Sequence, residues 1–557
     1  MEFYRAHVLV CGGFPCVAAG CRAVRGEIER SVKEHGLERE VRIVETGCLG
    51  PCDLGPIVVV YPEGTVYSRV SVDDVSEIVG EHLMKGRPVR RLEYTERLPS
   101  VSQADHKRPD YFGIQERIVL ENVGLIDPDS IEEYIARDGY LGAGMALTSM
   151  SPDEVIGAIK ASGLRGRGGA AFPTGVKLGF TARVEADQKY IICNADEGEP
   201  GTFKDRLILE GDPHKVIEGM IILGYSVGAT MGYIYIRGEY YLSIERIERA
   251  IAEARRYGLL GHDLFGSGFS FDIEVKKGAG AYVCGEETAL IESMEGKRGE
   301  PRQKPPYPGT CGLWGKPTVV NNVETIANVP PIVRNGADWF RQFGTPTSPG
   351  TKVYTLTGDV NNKGLIEVPM GITLREVIYG VGGGIPGGRR FKMAQTGGTA
   401  GGCLSETHLD IPMDYESLQE AGSALGSGAL LIIDDSHCVV DIACALLRFF
   451  EHESCGQCTP CREGTRRLHD IFRKTRELAA TEKDLKLARE LAGVMQASSL
   501  CALGQSVAVP LFTIMDHYAD EIEAHLEGRC PAGVCRPNPA NADESAYETL
   551  QAGNGIR

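Results

Sequence analysis

SGLRGRGGAAFPTGVK, Ser162 to Lys177, follows a segment that reads as a helix from Pro152 to Ala161. Gly166, Gly168 and Gly169 form a loop able to wrap a phosphate with backbone N–H groups, helped by Arg165, Arg167 and Lys177. The loop does not match the dinucleotide fingerprint G-x-G-x-x-G, so a standard Rossmann fold is not expected. Downstream, the apolar run Tyr190–Cys193 enters NADEGEPGTFKDR, Asn194 to Arg206. Acidic groups at the end of a buried strand suit hydroxyl donors such as ribityl or ribose, and a flavin ring edge. A solvated acidic turn is the plain alternative.

The pattern recurs. In KGAGAYVCGEETAL, Lys277 to Leu290, Gly278, Gly280 and Gly285 precede Glu286 and Glu287, where a helix is expected to begin. KPPYP (Lys304–Pro308) and TVVNNVET (Thr318–Thr325) add a cation, an aromatic ring and two amides. Several segments of matching chemistry point to a nucleotide cleft.

The 17 cysteines decide the rest. The N-terminus lacks the basic and apolar regions of a secretory signal, so clustered thiols read as metal ligands in a cytoplasmic chain rather than disulfides. Cys455, Cys458 and Cys461 form C-x2-C-x2-C, and Cys501 follows. Three thiolates on a tight loop with a remote fourth suit a [4Fe–4S] cluster, with a zinc site as the lesser alternative. Cys11 and Cys16, then Cys48 and Cys52, follow the apolar runs His7–Val10 and Val41–Val44. Four thiolates on two strand-end loops suit a [2Fe–2S] cluster; the spacing leaves open two redox-active or zinc-binding pairs. Cys21 reads as a structural thiol. Cys530 and Cys535, preceded by His525, suit a zinc site needing one more ligand, or a capped turn with free thiols. Cys193, Cys284, Cys311, Cys403, Cys438 and Cys444 sit in apolar or glycine-rich surroundings and read mostly as packing residues.

A net charge of −17 argues against nucleic acid as a partner. The one long uncharged stretch, Gly219–Ile236, reads as buried helix, turn and strand rather than a membrane span, so no direct membrane insertion is expected.

In this order, the glycine loop, NADEGEPGTFKDR, GAGAY-CGEETAL, KPP-P, NN-ET and C-x2-C-x2-C with a distant Cys resemble one family. It is the NADH-binding flavoprotein subunits of respiratory complex I and their soluble relatives in NAD-linked hydrogenases and formate dehydrogenases. The likeness runs over roughly 114–527. It implies FMN held by Gly166, Arg167, Gly168, Lys177, Asn194, Asp196, Glu197, Gly285, Glu286, Asn321 and Asn322. It implies NADH stacked among Phe172, Phe180 and Tyr307, near Glu199, Glu287 and Lys304. Ala171 stands where a glycine is usual, Leu178 where a tryptophan is usual, and Tyr307 where Phe is frequent. The acidic Glu199 and Glu287 favour NADH over NADPH by repelling a 2′-phosphate.

Residues 1–88 resemble a shortened thioredoxin-like [2Fe–2S] domain, a fusion pointing to electron-bifurcating hydrogenase beta subunits. The fold expected is α/β multidomain: the thioredoxin-like domain, an extended linker over 89–110, an α/β FMN- and NADH-binding domain over 111–345, a β-grasp domain over 346–435 and a helical bundle with the [4Fe–4S] cluster over 436–527. A cysteine motif and polar tail fill 528–557. The resemblance implies a diaphorase with no side-chain acid or base, since hydride passes directly from nicotinamide to flavin. The electrons then go singly to the two clusters. The partners implied are a hydrogenase or formate dehydrogenase catalytic subunit, a small [2Fe–2S] subunit and ferredoxin. A complex I-like NADH–quinone role is the alternative.

Overall fold

The computed structural model describes residues 4–94 and 113–535. The polar tail therefore lies outside the described residues, as does 95–110 of the expected linker.

The N-terminal sheet has the order β2-β1-β3-β4, with β1 Ala6–Cys11, β2 Val41–Thr46, β3 Val58–Tyr61 and β4 Thr65–Tyr67. β1 runs parallel to β2 and antiparallel to β3. The helix Cys21–Glu34 makes the parallel crossover and buries Val24, Ile28 and Val32. Both cysteine pairs thus leave the same ends of adjacent parallel strands.

The central sheet is wholly parallel, in the order β7-β6-β5-β8: β5 Tyr190–Ala195, β6 Met231–Arg237, β7 Asp272–Gly278 and β8 Thr318–Asn322. Strands covered on both faces read as unbroken apolar runs, which is why Ile191–Cys193 and Tyr233–Ile236 show no alternation. The uncharged stretch is the later part of the helix Pro213–Val227, a turn, and β6, as its composition implies. Its glycines serve packing. A Cβ at Gly219 would lie 2.4 Å from the Ile326 carbonyl oxygen, and one at Gly224 would meet the Phe271 ring at 2.6 Å. Among the described residues, no helix is long and apolar enough to cross a membrane.

The third sheet, β10-β9-β13-β11-β12, is mixed: β9 Thr351–Gly358, β10 Gly364–Pro369, β11 Phe391–Thr396, β12 Cys403–Ser405 and β13 Ala429–Asp434. Among the described residues, six helices follow from Val439 to Leu526.

These units share cores. One apolar cluster joins Val8, Val58 and Ile78 of the N-terminal unit to Tyr354, Ile366 and Leu430 of the third sheet. Another joins Ile192 and Tyr233 of the central sheet to Phe450, Leu468 and Ile514 of the helical region. The extended linker expected from residue 89 needs correction. Val89 and Leu92 are buried, and the Tyr94 N–H donates to the Val66 carbonyl, so 89–94 packs onto the N-terminal domain. A stretch crowded with Arg and Pro conceals those two apolar anchors.

Candidate functional site

The cleft lies at the carboxyl ends of the parallel strands, where open α/β sheets bind ligands. The register pairs Cys193 with Asn321 and Asn194 with Asn322, so β5 and β8 end level and deliver their polar residues side by side. The glycine loop is closed by its own backbone: Gly166 N–H donates to Phe172 O at 2.9 Å, and Thr174 N–H to Leu164 O at 2.9 Å. Arg167 N–H donates to Thr325 Oγ1 at 2.8 Å, fastening the loop to the segment after β8. A Cβ on Gly168 would come within 2.8 Å of Asn322 Cβ, so only glycine permits this approach. On the other side, Asn194 Nδ2 donates to Gly285 O at 2.9 Å. Gly166–Gly168, Lys177, Asn194–Glu197, Gly285–Glu287 and Asn321–Asn322 therefore converge.

Several donors and acceptors here lack protein partners. Asp196 Oδ2 and Asn321 Nδ2 are buried without one. Buried polar atoms are rarely left so, and ribityl hydroxyls or a flavin ring edge would satisfy both. The residues fit FMN. Burial pushes the Asp196 carboxyl up to about 7, with Arg237 at 3.5 Å opposing it. Burial, with the Asp205 charge, also raises Glu197 to about 7, against Lys204. Glu197 accepts the Asp205 and Arg206 N–H groups at 2.9 and 3.1 Å, capping the helix Lys204–Gly211.

Two expected ligands contribute differently from the sequence reading. Arg167 was expected to aid phosphate binding, but its guanidinium is buried and donates to Tyr415 Oη at 3.0 Å and Pro349 O at 2.8 Å. The third sheet's domain holds its two terminal nitrogens, while Nε is buried without a protein partner. Glu286 caps the helix Glu287–Met294 through the Thr288 and Ala289 N–H groups, and its other oxygen meets Lys304 Nζ at 2.8 Å.

Sequence reasoning missed a buried ionic group behind the cleft. Lys204 Nζ lies 2.6 Å from Asp205, 3.1 Å from Glu324 and 3.2 Å from Asn322 Oδ1, and Lys352 Nζ bonds Glu324. All four charged side chains are nearly inaccessible. Burial lowers Lys352 to about 8 against the pull of Glu324. The run TFKDR carried a hint in Lys204; nothing local marked Lys352.

At the mouth, Phe172, Phe180 and Tyr307 are exposed at 45, 61 and 61%. Large rings open to solvent beside a cleft suit a stacking ligand. Lys304 Nζ bonds Glu287 at 2.8 Å, and Lys177 lies 3.6 Å from it. Burial works against Glu287 ionising, yet the two lysines outweigh it and hold its carboxyl below the ordinary range. Glu199 is placed otherwise: buried, accepting from Thr399 Oγ1 at 3.0 Å and Ala400 N–H at 3.3 Å.

Cys455, Cys458, Cys461 and Cys501 line one pocket with Val283 and Leu503. Cys458 and Cys501 sit at helix starts, and burial raises the Cys501 thiol against the Leu503 and Gly504 N–H groups that reach it. In the N-terminal domain, the Cys11 thiol meets both Cys16 and Cys48, and Cys48 meets Cys52. Gly13 and Leu49 N–H groups bond Cys11. A Cβ at Gly13 would touch Cys48 Sγ at 3.1 Å, so the two loops close around the thiols. The residues fit a four-iron and a two-iron cluster respectively.

Cys438 packs in the apolar core as expected, and it also joins a group of potential metal ligands. Its Sγ lies 3.2 Å from His525 Nε2 and 3.5 Å from Cys535 Sγ, and with Cys530 the four ligand atoms fall within 4.8 Å of one another. Distance in sequence hid it.

A cleft of orphaned polar atoms with thiol clusters on two sides defines a class: flavin- and iron–sulfur-bearing nicotinamide oxidoreductase subunits. Residues 159–331 match the Nuo51 FMN-binding domain, 441–525 the NADH-ubiquinone oxidoreductase-F iron-sulfur binding region, 3–82 the thioredoxin-like [2Fe-2S] ferredoxin and 353–403 the SLBB domain. The chain is 55% identical over 422 residues to the NADP-reducing hydrogenase subunit HndC of Solidesulfovibrio fructosivorans, covering 76% of this chain and 86% of that one. It is 48% identical to an NADH-quinone oxidoreductase subunit of Rhizobium meliloti, over 75% of this chain and 99% of the relative. An NAD+-reducing [NiFe]-hydrogenase crystal structure superposes with a TM-score of 0.65 at 31% identity, covering 94% of this chain and 86% of that one. The chain belongs to the family of NADH-oxidising FMN and iron–sulfur subunits found in complex I and hydrogenase diaphorases.

Proposed function

We propose that this chain is the NAD(H)-linked diaphorase subunit of a cytoplasmic electron-bifurcating or confurcating hydrogenase or formate dehydrogenase. The observation that carries this reading is the pair of cluster sites flanking one flavin cleft. Val283 lines the four-cysteine cavity while Gly285, two residues on, lines the cleft. On the opposite side, the helix capped by Glu197 ends at Gly211, whose backbone abuts Gly47 beside Cys48. Two outlets allow a two-electron donor to feed two acceptors.

The cleft's residues hold and orient; none needs to move a proton to the nicotinamide. Gly166 and Gly168 backbones with Lys177 take the phosphate, and Asn194, Asp196, Glu197, Asn321 and Asn322 take the ribityl chain and ring edge. When bound, FMN supplies hydride acceptance and single-electron release. Phe172, Phe180 and Tyr307 stack the nicotinamide nucleotide, with Lys304 and Glu287 reading its ribose or phosphates. Cys438, His525, Cys530 and Cys535 form a structural zinc site tying the C-terminal turn to the helix Val439–Glu453. Cys438 is lowered to about 4 by the Cys535 thiol and then by His525, favouring the ligand form. The partners would be a hydrogen- or formate-activating subunit, a small [2Fe–2S] subunit and ferredoxin.

The test is NAD+ reduction by the purified complex with hydrogen or formate, with and without oxidised ferredoxin as the second acceptor. Strict dependence on ferredoxin, reduced in step with NAD+, supports the reading. Full NAD+ reduction without ferredoxin would remove bifurcation and favour the simple NADH dehydrogenase alternative.

A further inference from the structure

One short helix touches both the flavin cleft and the [2Fe–2S] loops. Lys204–Gly211 begins at Lys204 and Asp205, which bond Asn322, and its first N–H groups are capped by Glu197. It ends at Gly211, where a Cβ on Gly47 would lie only 2.5 Å from Gly211 Cα. Arg206 stands on this helix between those ends. Its guanidinium lies 4.4 Å from the centroid of the Phe14 ring, and Phe14 falls between Cys11 and Cys16. The same guanidinium lies 5.1 Å from the Tyr240 ring, and Tyr240 Oη donates to Glu197 O at 2.9 Å. Arg206 Nε is held by Glu210 Oε1 at 2.8 Å, and its side chain is 15% exposed.

The contact forms a continuous bridge two side chains thick. Phe14 moves with the cluster loop; Tyr240 and Glu197 belong to the flavin domain. A cation between two aromatic faces in a mostly dry interface is an attractive and directional contact. A second seam runs beside it: Arg246 bonds Glu210 O and lies 3.3 Å from Glu45, which in turn bonds Arg25 at 2.8 Å. That seam fixes the domains together without touching the cluster loop's aromatic residue.

We propose that Arg206 is a positioning residue for electron transfer between the flavin cleft and the [2Fe–2S] cluster, holding the Cys11–Cys16 loop in register with Glu197. The inference rests on the assignment of Glu197 to FMN and of Cys11, Cys16, Cys48 and Cys52 to the cluster. In the overall step NADH becomes NAD+ and releases one proton. One electron reduces a ferric iron of the [2Fe–2S] cluster, the other a ferric iron of the [4Fe–4S] cluster.

The experiment mixes the holoprotein with NADH and follows each cluster's EPR signal by freeze-quench, in wild type, Arg206→Leu, Arg206→Lys and Arg246→Leu. FMN content and the dithionite-reduced [2Fe–2S] spin count are measured on each. Arg206→Leu should slow appearance of the [2Fe–2S] signal at least about tenfold, since small misplacements of a reacting centre carry large rate penalties. Its [4Fe–4S] rate, FMN content and dithionite spin count should match wild type. Arg206→Lys should recover most of the rate, and Arg246→Leu should slow it less than Arg206→Leu does, because Arg246 shares Glu210 with Arg206 but makes no contact with Phe14. An unchanged [2Fe–2S] rate in Arg206→Leu overturns the proposal. So does equal slowing in Arg246→Leu, which would credit docking in general, or loss of FMN in Arg206→Leu, which would assign the residue to the cleft. A wild-type protein with no dithionite-reducible [2Fe–2S] signal would instead defeat the cluster assignment beneath it.

Discussion

The two sides of the flavin cleft reach their iron–sulfur sites by different constructions. Toward the four-cysteine cavity the connection is one piece of chain: the turn Tyr282–Gly285 has Val283 in the cavity wall and Gly285 in the cleft. The Tyr282 N–H is tied to Glu453, just before the cysteine loop, at 3.0 Å. Toward the N-terminal thiols the connection is a domain interface of side chains and closely apposed glycines. A covalent turn fixes distance by bond geometry, whereas an interface fixes it through contacts that single substitutions can loosen. The first exit should tolerate surface mutation; the second should be tunable.

The strongest way to break the comparison is to silence both exits at once. Gly168→Val forces a branched side chain into the 2.8 Å approach to Asn322. The expected result is loss of FMN and of NADH-driven reduction at either cluster, with iron unchanged. Flavin-replete protein would disprove the loop assignment. Cys458→Ala should silence one exit only, removing about four irons per chain and the [4Fe–4S] EPR signal while the [2Fe–2S] signal persists. Loss of both signals would show that the exits depend on one another.

Glu197 offers a finer cut, through pH. Its folded pKa is raised to about 7 from the ordinary 4.5, so the folded FMN-free protein binds an extra proton between those values. That contribution is fully present below 4.5 and is lost as pH rises through 7. Glu197→Gln in flavin-free protein should therefore gain on the order of 2 kcal/mol over wild type at pH 8 and nothing at pH 4. Thermal unfolding at the two pH values checks this, and a gain of equal size at both would refute it. Tyr307→Ala should raise KM for NADH by about tenfold, one lost stacking contact, with FMN content intact. The smallest effect belongs to Cys438→Ser: elemental analysis should show about one zinc per wild-type chain and none in the variant, with both cluster signals unmoved.

Much of this was legible because the chemistry is local. Asn194–Glu197, Gly285–Glu287 and the C-x2-C-x2-C run each occupy a few consecutive residues, and glycine or cysteine marks each one. The buried runs of β5 and β6 were equally plain, since covered parallel strands carry no polar alternation. What stayed hidden depends on distant pairings. Cys438 is 87 residues from His525, and no spacing rule spans that interval. Lys352 and Glu324 belong to different domains and become partners only through packing. The partners of Arg167 were hidden for a related reason: beside glycines it reads as a phosphate ligand, and Tyr415 and Pro349, which hold its terminal nitrogens, arrive from far along the chain.

The loop around Cys52 has a consequence for biosynthesis. Cys52 N–H donates to Lys363 O at 3.0 Å, and Leu365 N–H to Gly50 O at 3.2 Å. The partners of this early-made loop are thus translated some three hundred residues after it. Until β10 emerges, the loop lacks its strand neighbour and its thiols stand open to oxygen or to the wrong metal. Fragments ending before residue 363 should therefore incorporate the two-iron cluster in lower yield than the full chain under the same anaerobic expression. Equal yields would show that the cluster domain matures without waiting.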